Sequence, residues 1–189
     1  MVADRTSAKD YDADMIAAKK AGIKAFALNI GTDSYTDTQL GFAYDSAAAN
    51  GMNVFLSFDF HRYSATDATQ WPLIGSKIGT FASKPAQLKI GDAAFVSTFA
   101  GDGLNLDAVK AAAGGKIFFV PNFKPENLGS ADGLLNWVAW PSNGQNQAPD
   151  ATGNVAVKHG DTTYQGALGK TKPYIARKFT APQSQSVHL

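Results

Sequence analysis

The sequence predicts an α/β fold built on parallel strands, and three observations predict it. Short apolar runs that read as strands alternate with longer Ala-rich or amphipathic runs that read as helices. The strand runs are almost continuously apolar, as in strands buried on both faces. Glycines stand where helices should stop, at Gly22, Gly51 and Gly114-Gly115. Alternation of this kind means a parallel sheet with right-handed crossovers.

Taken in order, Ser7 and Asp10 form a capping box, with Asp in the glutamate position, ahead of a helix from Lys9 to Ala21. Asp12 and Asp14 lie at its positive end and Lys19 and Lys20 at its negative end. Ile23 to Ile30 reads as a strand closed by Gly31. Thr36 with Gln39 predicts a second capping box, before a helix that carries Leu40, Ala43, Tyr44 and Ala47 on one side and stops at Gly51. A strand over Asn53 to Phe60, a helix from about Thr69 to Ser83 and a strand over Ala94 to Phe99 follow. A shorter helix, Asn105 to Ala113, precedes strands at Lys116 to Val120 and Leu134 to Trp140. A Pro-, Ser-, Asn-, Gly- and Gln-rich loop from Pro141 to Gly153, a helix near Thr162 to Leu168 and the run Lys172 to Ala176 complete the pattern.

Two architectures satisfy it, an open doubly wound sheet and a (β/α) barrel. A barrel normally takes eight units and about 250 residues. Six strand candidates follow residue 22 in a chain of 189, so counting alone leaves the choice open.

Composition excludes several functions. The chain has 17 Lys+Arg against 16 Asp+Glu, a formal net charge of +1, and lacks the basic face of a nucleic-acid or anionic-membrane binder. It has no cysteine, hence no disulfide framework, thiolate metal site or cysteine nucleophile. No run of about 18 apolar residues is present to span a membrane. Met1-Val2-Ala3-Asp4-Arg5-Thr6 lacks the basic region and apolar core of a secretory signal. Neither a G-x-G-x-x-G nor a G-x-x-x-x-G-K-[ST] motif occurs, no second histidine lies at ligand spacing from His61, and no metal or cofactor is expected. Among the 16 acidic residues only Glu126 is a glutamate, so acid/base chemistry must run mostly on aspartate.

In either architecture, functional residues gather where parallel strands end. That rule selects Asn29, Asp59 with His61 and Arg62, Thr98 with Asp102, Asn122, and Trp137 with Trp140. Carboxylates, amides and indoles without many cations suit sugar hydroxyls better than phosphates. Asp59 carries the strongest signal, because it follows the apolar run Val54 to Phe58 and would be partly desolvated there. It suits acid/base or charge-stabilising work, or else capping a helix or loop. Asp102, in Gly101-Asp102-Gly103, reads first as a turn residue and second as a site carboxylate. Trp137 and Trp140 are three apart, so on a strand at most one of them lines a cleft.

The run Ala21-Gly22-Ile23-Lys24-Ala25-Phe26-Ala27-Leu28-Asn29-Ile30-Gly31, with Asp33-Ser34-Tyr35-Thr36-Asp37-Thr38-Gln39-Leu40, closely resembles the fungal α-1,3-glucanases (mutanases) of glycoside hydrolase family 71. The resemblance continues through Phe55-Leu56-Ser57-Phe58-Asp59, Phe95-Val96-Ser97-Thr98-Phe99-Ala100-Gly101, Phe118-Phe119-Val120-Pro121-Asn122, Trp137-Val138-Ala139-Trp140-Pro141 and Lys172-Pro173-Tyr174. It implies an extracellular or cell-wall enzyme that hydrolyses α-1,3-glucan with inversion on a (β/α)8 barrel, without a cofactor. Residues 1–176 then represent about strands two to seven of that barrel, and residues 177–189 a tail unlike the family. The resemblance makes Asp59 a catalytic residue. Asn29, Asp102, Asn122, Trp137 and Trp140 are the expected substrate-binding residues. The family's main acid/base pair belongs to a later block, W-N-D-Y-G-E-S-H-Y, that this sequence does not contain. Two further readings stand beside hydrolysis. One is a non-catalytic α-glucan-binding or vestigial fragment, and the other an open flavodoxin-like sheet holding a phosphorylated ligand at Gly101 to Gly103.

Overall fold

A computed structural model of the chain describes residues 4–137 and 151–176. A 3-10 turn (Ala8–Tyr11) leads into α1 (Asp12–Lys20), followed by β1 (Ala25–Ile30), α2 (Thr36–Asn50), β2 (Asn53–Asp59) and α3 (Gln70–Ala82). The chain continues through β3 (Lys89–Ile90), β4 (Ala93–Phe99), α4 (Leu106–Ala113) and β5 (Ile117–Val120). A second 3-10 turn (Pro125–Asn127), β6 (Leu134–Asn136), α5 (Ala151–Leu168) and β7 (Tyr174–Ala176) complete it.

Local chemistry explains where elements begin and end, and where the sequence misleads. The Asp10 carboxylate accepts from the Thr6 hydroxyl (2.9 Å) and from the backbone N–H groups of Ser7 (2.9 Å) and Thr6 (3.1 Å). These bonds, the Thr6 hydroxyl foremost, hold its carboxyl below the usual carboxylate range. The turn they close is a 3-10 turn, and the α-helix proper starts only at Asp12. Gln39 does not cap α2. Its Oε1 accepts from the Arg5 N–H (3.1 Å) and the Tyr11 hydroxyl (2.8 Å), and its Nε2 donates to the Arg5 carbonyl (2.7 Å). The buried amide thus fastens the segment at Arg5 onto α2, whose N-cap, Tyr35, makes no side-chain capping bond. Gly51 and Gly114 close α2 and α4 at φ 63° and 67°, the left-handed stops expected of them. Helix α5 starts at Ala151, eleven residues before the expected Thr162, because Gly153, Gly160 and Gly166 dilute its helical signal. The expected strand over Leu134 to Trp140 ends at Asn136. Residues 138–150, which include Trp140 and most of the expected loop, lie outside the described residues, as does the expected tail.

Strands β1, β2, β4 and β5 pair in parallel, in that order. Their register sets Asn29 beside Ser57, Ser57 beside Ser97, Asp59 beside Phe99, and Ser97 beside Val120. The two-residue β3, too short to leave a sequence pattern, pairs antiparallel with the start of β4. Strands β6 and β7 form a second parallel pair. Backbone bonds from the Asp132 N–H to Phe119 O (2.8 Å) and the Leu135 N–H to Pro121 O (2.9 Å) lay this pair along β5. Each parallel strand therefore lies beside the next parallel strand in the chain. The reversal of order that marks a doubly wound sheet is not found among the described residues.

Helices cover one face. Leu28, Ile30, Val54, Leu56, Phe58, Val96, Ile117 and Phe119 share a single buried cluster with Met15 of α1, Leu40 and Tyr44 of α2, Ile74 and Ile78 of α3, and Val109 of α4. Phe55, Phe95, Phe99 and Phe118 point the other way by the period of two and lie outside that cluster. Helices α3 and α4 touch backbone to backbone: a Cβ on Gly75 would lie 2.5 Å from Val109 O, and one on Gly79 2.5 Å from Ala113 O.

Candidate active site at the carboxyl edge

The face away from the helices carries the polar groups. Asn29, Ser57 and Asp59 lie on it because β1 and β2 alternate and pair in register. The Ser57 hydroxyl donates to Asn29 Oδ1 (3.4 Å), and Asn29 Nδ2 donates to Asp59 Oδ2 (3.5 Å). The other oxygen, Oδ1, accepts from the His61 backbone N–H at 2.9 Å, an Asx-type turn that fixes the carboxylate where the strand ends. Asp59 and Asn29 are half-buried and Ser57 is buried. The carboxylate stands at the sheet edge with each oxygen facing one donor.

Neighbouring side chains hold this corner. Arg62 pairs with Asp33 at 3.1 Å across the exposed rim. The Tyr63 hydroxyl donates to Gly31 O (2.8 Å) while its ring packs edge-on against Phe58, 5.4 Å between centroids. Burial, helped by the charges of Asp37 and Asp33, pushes the Tyr63 phenol up to about 12.

The ends of β4, β5 and β6 are tied through Asn122. Its backbone N–H donates to Thr98 Oγ1 (3.1 Å), its Oδ1 accepts from the Ala100 N–H (3.3 Å), and its Nδ2 donates to Leu135 O (2.9 Å) and Tyr164 Oη (3.5 Å). Ala100 has φ 54°, a left-handed conformation uncommon for a residue with a Cβ, and the Asn122 and Thr98 bonds hold it there. Gly101 follows at φ 110°, where a Cβ would sit 2.6 Å from the Phe60 ring. Asp102 Oδ1 accepts from the Lys124 N–H (2.9 Å) and Asn127 Nδ2 (2.6 Å), closing the loop after β5 onto the loop after β4. Burial, with the Asp102 and Glu126 charges nearby, raises the Tyr164 phenol as well.

The expected site residues divide accordingly. Asn29 and Asp59 come together. Trp137 is half-buried, donates from Nε1 to Thr98 O (3.1 Å) and stands 4.8 Å from Phe99 between ring centroids. Asn122 and Asp102 bond to backbone and neighbouring side chains within the loops. Trp140 lies outside the described residues. Thr98, selected by the strand-end rule, is fully buried on the helix side, and its neighbour Phe99 faces the site instead. Ser57 was legible as the residue two before Asp59 on the same face, and Phe99 as the residue one step from Thr98 on the opposite one. Tyr63 and Tyr164 carry no such signal, since each enters from a loop or helix. Among the described residues no group of three His, Asp or Glu side chains converges as a metal site would. No described helix is long and apolar enough to cross a membrane.

A carboxylate, amides and aromatic rings on the carboxyl edge of a parallel α/β sheet, with few cations, form a set of groups whose donors, acceptors and flat apolar surfaces suit sugars better than phosphates. Comparison with family models gives the chain a family. It matches the model of glycosyl hydrolase family 71 over residues 1–183, and the chain belongs to that family. It is 41% identical over 145 residues to a mutanase of Penicillium rubens, covering 73% of this chain and 32% of the relative. It is 37% identical over 153 residues to a glucan endo-1,3-alpha-glucosidase of Schizosaccharomyces pombe, covering 70% and 35%. An ascus wall endo-1,3-alpha-glucanase of the same yeast is 26% identical over 193 residues, covering 91% and 44%. The chain thus covers 32% to 44% of the length of these relatives.

Proposed function

We propose that residues 1–176 supply about strands two to seven of a (β/α)8 barrel. The barrel hydrolyses α-1,3-glucosidic bonds of fungal cell-wall glucan, outside the cell or in the wall. One observation carries the reading: in a chain of this family, Asp59 stands at the end of β2 with both oxygens oriented, beside Asn29 on the site face. The unbroken order of parallel strands, with the helices on one face, supports the barrel.

Inverting hydrolysis sets two carboxyl groups roughly 6.5 to 9.5 Å apart, one to protonate the leaving oxygen and one to activate water. Asp59 serves as a carboxylate that draws a proton from water or balances positive charge developing on the sugar ring. Asn29 holds Asp59 Oδ2 and offers its amide to a neighbouring hydroxyl, while Trp137 walls the cleft. Asp102 and Asn122 shape the two loops that border the substrate. Within this chain Asp59 is the carboxylate proposed for one of those two roles.

A second reading follows from the site's own bonds. Asp102 Oδ1 already takes two hydrogen bonds within the loops, and among the described residues Asp59 is the one carboxylate in the Asn29–Ser57 network. On that reading the chain binds α-glucan without cleaving it.

Incubating the chain with insoluble α-1,3-glucan separates the readings through released reducing sugar and bound protein. Release that falls by a factor of about 10² to 10⁴ in Asp59→Asn supports hydrolysis through Asp59. Equal release from both proteins removes Asp59 from the chemistry. Binding without release supports the binding reading, and loss of both overturns each.

A further inference from the structure

We infer that Phe99 is a sugar-contacting residue: its ring is the middle member of an aromatic row, His61–Phe99–Trp137, that seats one glucosyl ring against the Asp59 carboxylate. The inference rests on the proposed glucan substrate and adds a binding surface to it. Phe99 is the register partner of Asp59, so ring and carboxylate project from neighbouring strands on the same face. The row is edge-to-face throughout. His61 meets Phe99 with centroids 4.9 Å apart and planes at 77°, and Trp137 meets it at 4.8 Å and 73°.

Core packing does not account for this ring. Phe99 is half-buried and lies outside the buried cluster that unites the helices with the sheet. Nor is the row loosely placed. Trp137 is anchored by its Nε1–H bond to Thr98 O (3.1 Å), and the His61 backbone N–H is bonded to Asp59 Oδ1 (2.9 Å). The Trp137 ring is therefore anchored at the end of β4 and the His61 backbone at the Asp59 carboxylate, and both rings pack against Phe99. A pyranose has an apolar face of C–H groups and a rim of hydroxyls. An aromatic ring held beside a carboxylate and an amide matches both, the ring under the C–H face and Asp59 with Asn29 at the rim.

The test is calorimetric binding of a soluble α-1,3-linked glucotetraose and of an α-1,4-linked glucotetraose to the chain and to Phe99→Leu, Phe99→Tyr and His61→Ala. Leucine keeps apolar volume and loses the ring, so Phe99→Leu is expected to bind the α-1,3 ligand about tenfold more weakly, and Phe99→Tyr within about twofold of the parent. His61→Ala alters an exposed side chain, keeps the fold, and is expected to weaken binding about threefold. Unchanged affinity in Phe99→Leu overturns the inference. So does the absence of saccharide binding, or unchanged affinity in His61→Ala should Phe99→Leu fail to fold. Ring-dependent binding without any release of reducing sugar leaves Phe99 in place and removes hydrolysis by this chain. Ring-dependent binding that favours the α-1,4 ligand keeps the platform and removes the proposed linkage.

Discussion

Under the helices, Val54, Leu56 and Phe58 of β2 are sealed from water, while on the other side of the same strand Ser57 and Asp59 bond to Asn29 across to β1. Neighbouring residues of one strand thus serve different ends. The helix face removes apolar area from water, which stabilises at about 25 cal/mol per Å². The site face gathers donors and acceptors whose net contribution is about 1 kcal/mol per bond, because water would satisfy them nearly as well. What this face gains is direction: a carboxylate with a donor at each oxygen and a ring fixed beside it. Stability and chemistry occupy alternate positions of the sequence, so substitutions one residue apart should have effects of different kinds.

The sharpest way to break that comparison is a pair of adjacent substitutions. Phe58→Ala should cost about 3–5 kcal/mol, the transfer loss of a fully buried ring plus the cavity it leaves. Ser57→Ala should cost about 0.5–1.5 kcal/mol, one hydroxyl bond. Urea unfolding of both proteins measures the difference, and equal midpoints would dissolve the distinction between the faces. A step smaller, Gly79→Ala should cost about 1–3 kcal/mol, since its Cβ would meet the Ala113 carbonyl at 2.5 Å and force α3 from α4. Thermal unfolding reads this, and a neutral result would mean that the helix layer is less closely packed than the sheet it covers. On the site side, Asn122→Ala should cost about 1–2 kcal/mol by leaving the Ala100 N–H and the Leu135 carbonyl without their partner. Hydrogen exchange at Ala100 should quicken in that variant, and exchange at Val54 should not.

Much of the fold was legible because its signals are local. Gly51 and Gly114 stop their helices where a left-handed residue is needed, and the apolar runs of β2 and β4 mark strands whatever surrounds them. Asp59 and Asn29 were legible because the end of a parallel strand is also a position in the sequence. Other features depend on distant partners. Thr36 and Gln39 have the spacing of a capping box, yet Gln39 is recruited by Arg5 and Tyr11, more than 25 residues away, and a buried amide with three satisfied bonds outweighs one cap. Thr98 and Phe99 differ by one position and so by one face, which the rule that strand ends carry function does not resolve. The role of Asn122 as a tie between three strands is invisible until β4, β5 and β6 are side by side.

Tyr63 belongs to both faces, and the smallest predicted effect falls on it. Its ring packs against the helix-side cluster through Phe58, and its hydroxyl donates to Gly31 O at the site edge. Burial first, then the charges of Asp37 and Asp33, raises its phenol from 10.0 to about 12. Between those values the folded chain keeps a proton that the unfolded chain has lost. The stability it contributes is therefore complete below about pH 10 and fades as pH rises through about 12. Tyr44 and Tyr174 are also raised, both by burial foremost and Tyr174 also by its bond to Asp161, so an alkaline decline should persist without Tyr63. Melting temperatures followed from pH 8 to pH 12 should fall less steeply for Tyr63→Phe than for the parent, because phenylalanine keeps the ring and has no proton to lose. Identical slopes would place the Tyr63 hydroxyl in water, and with it would go the idea that one side chain links the sealed face to the reactive one.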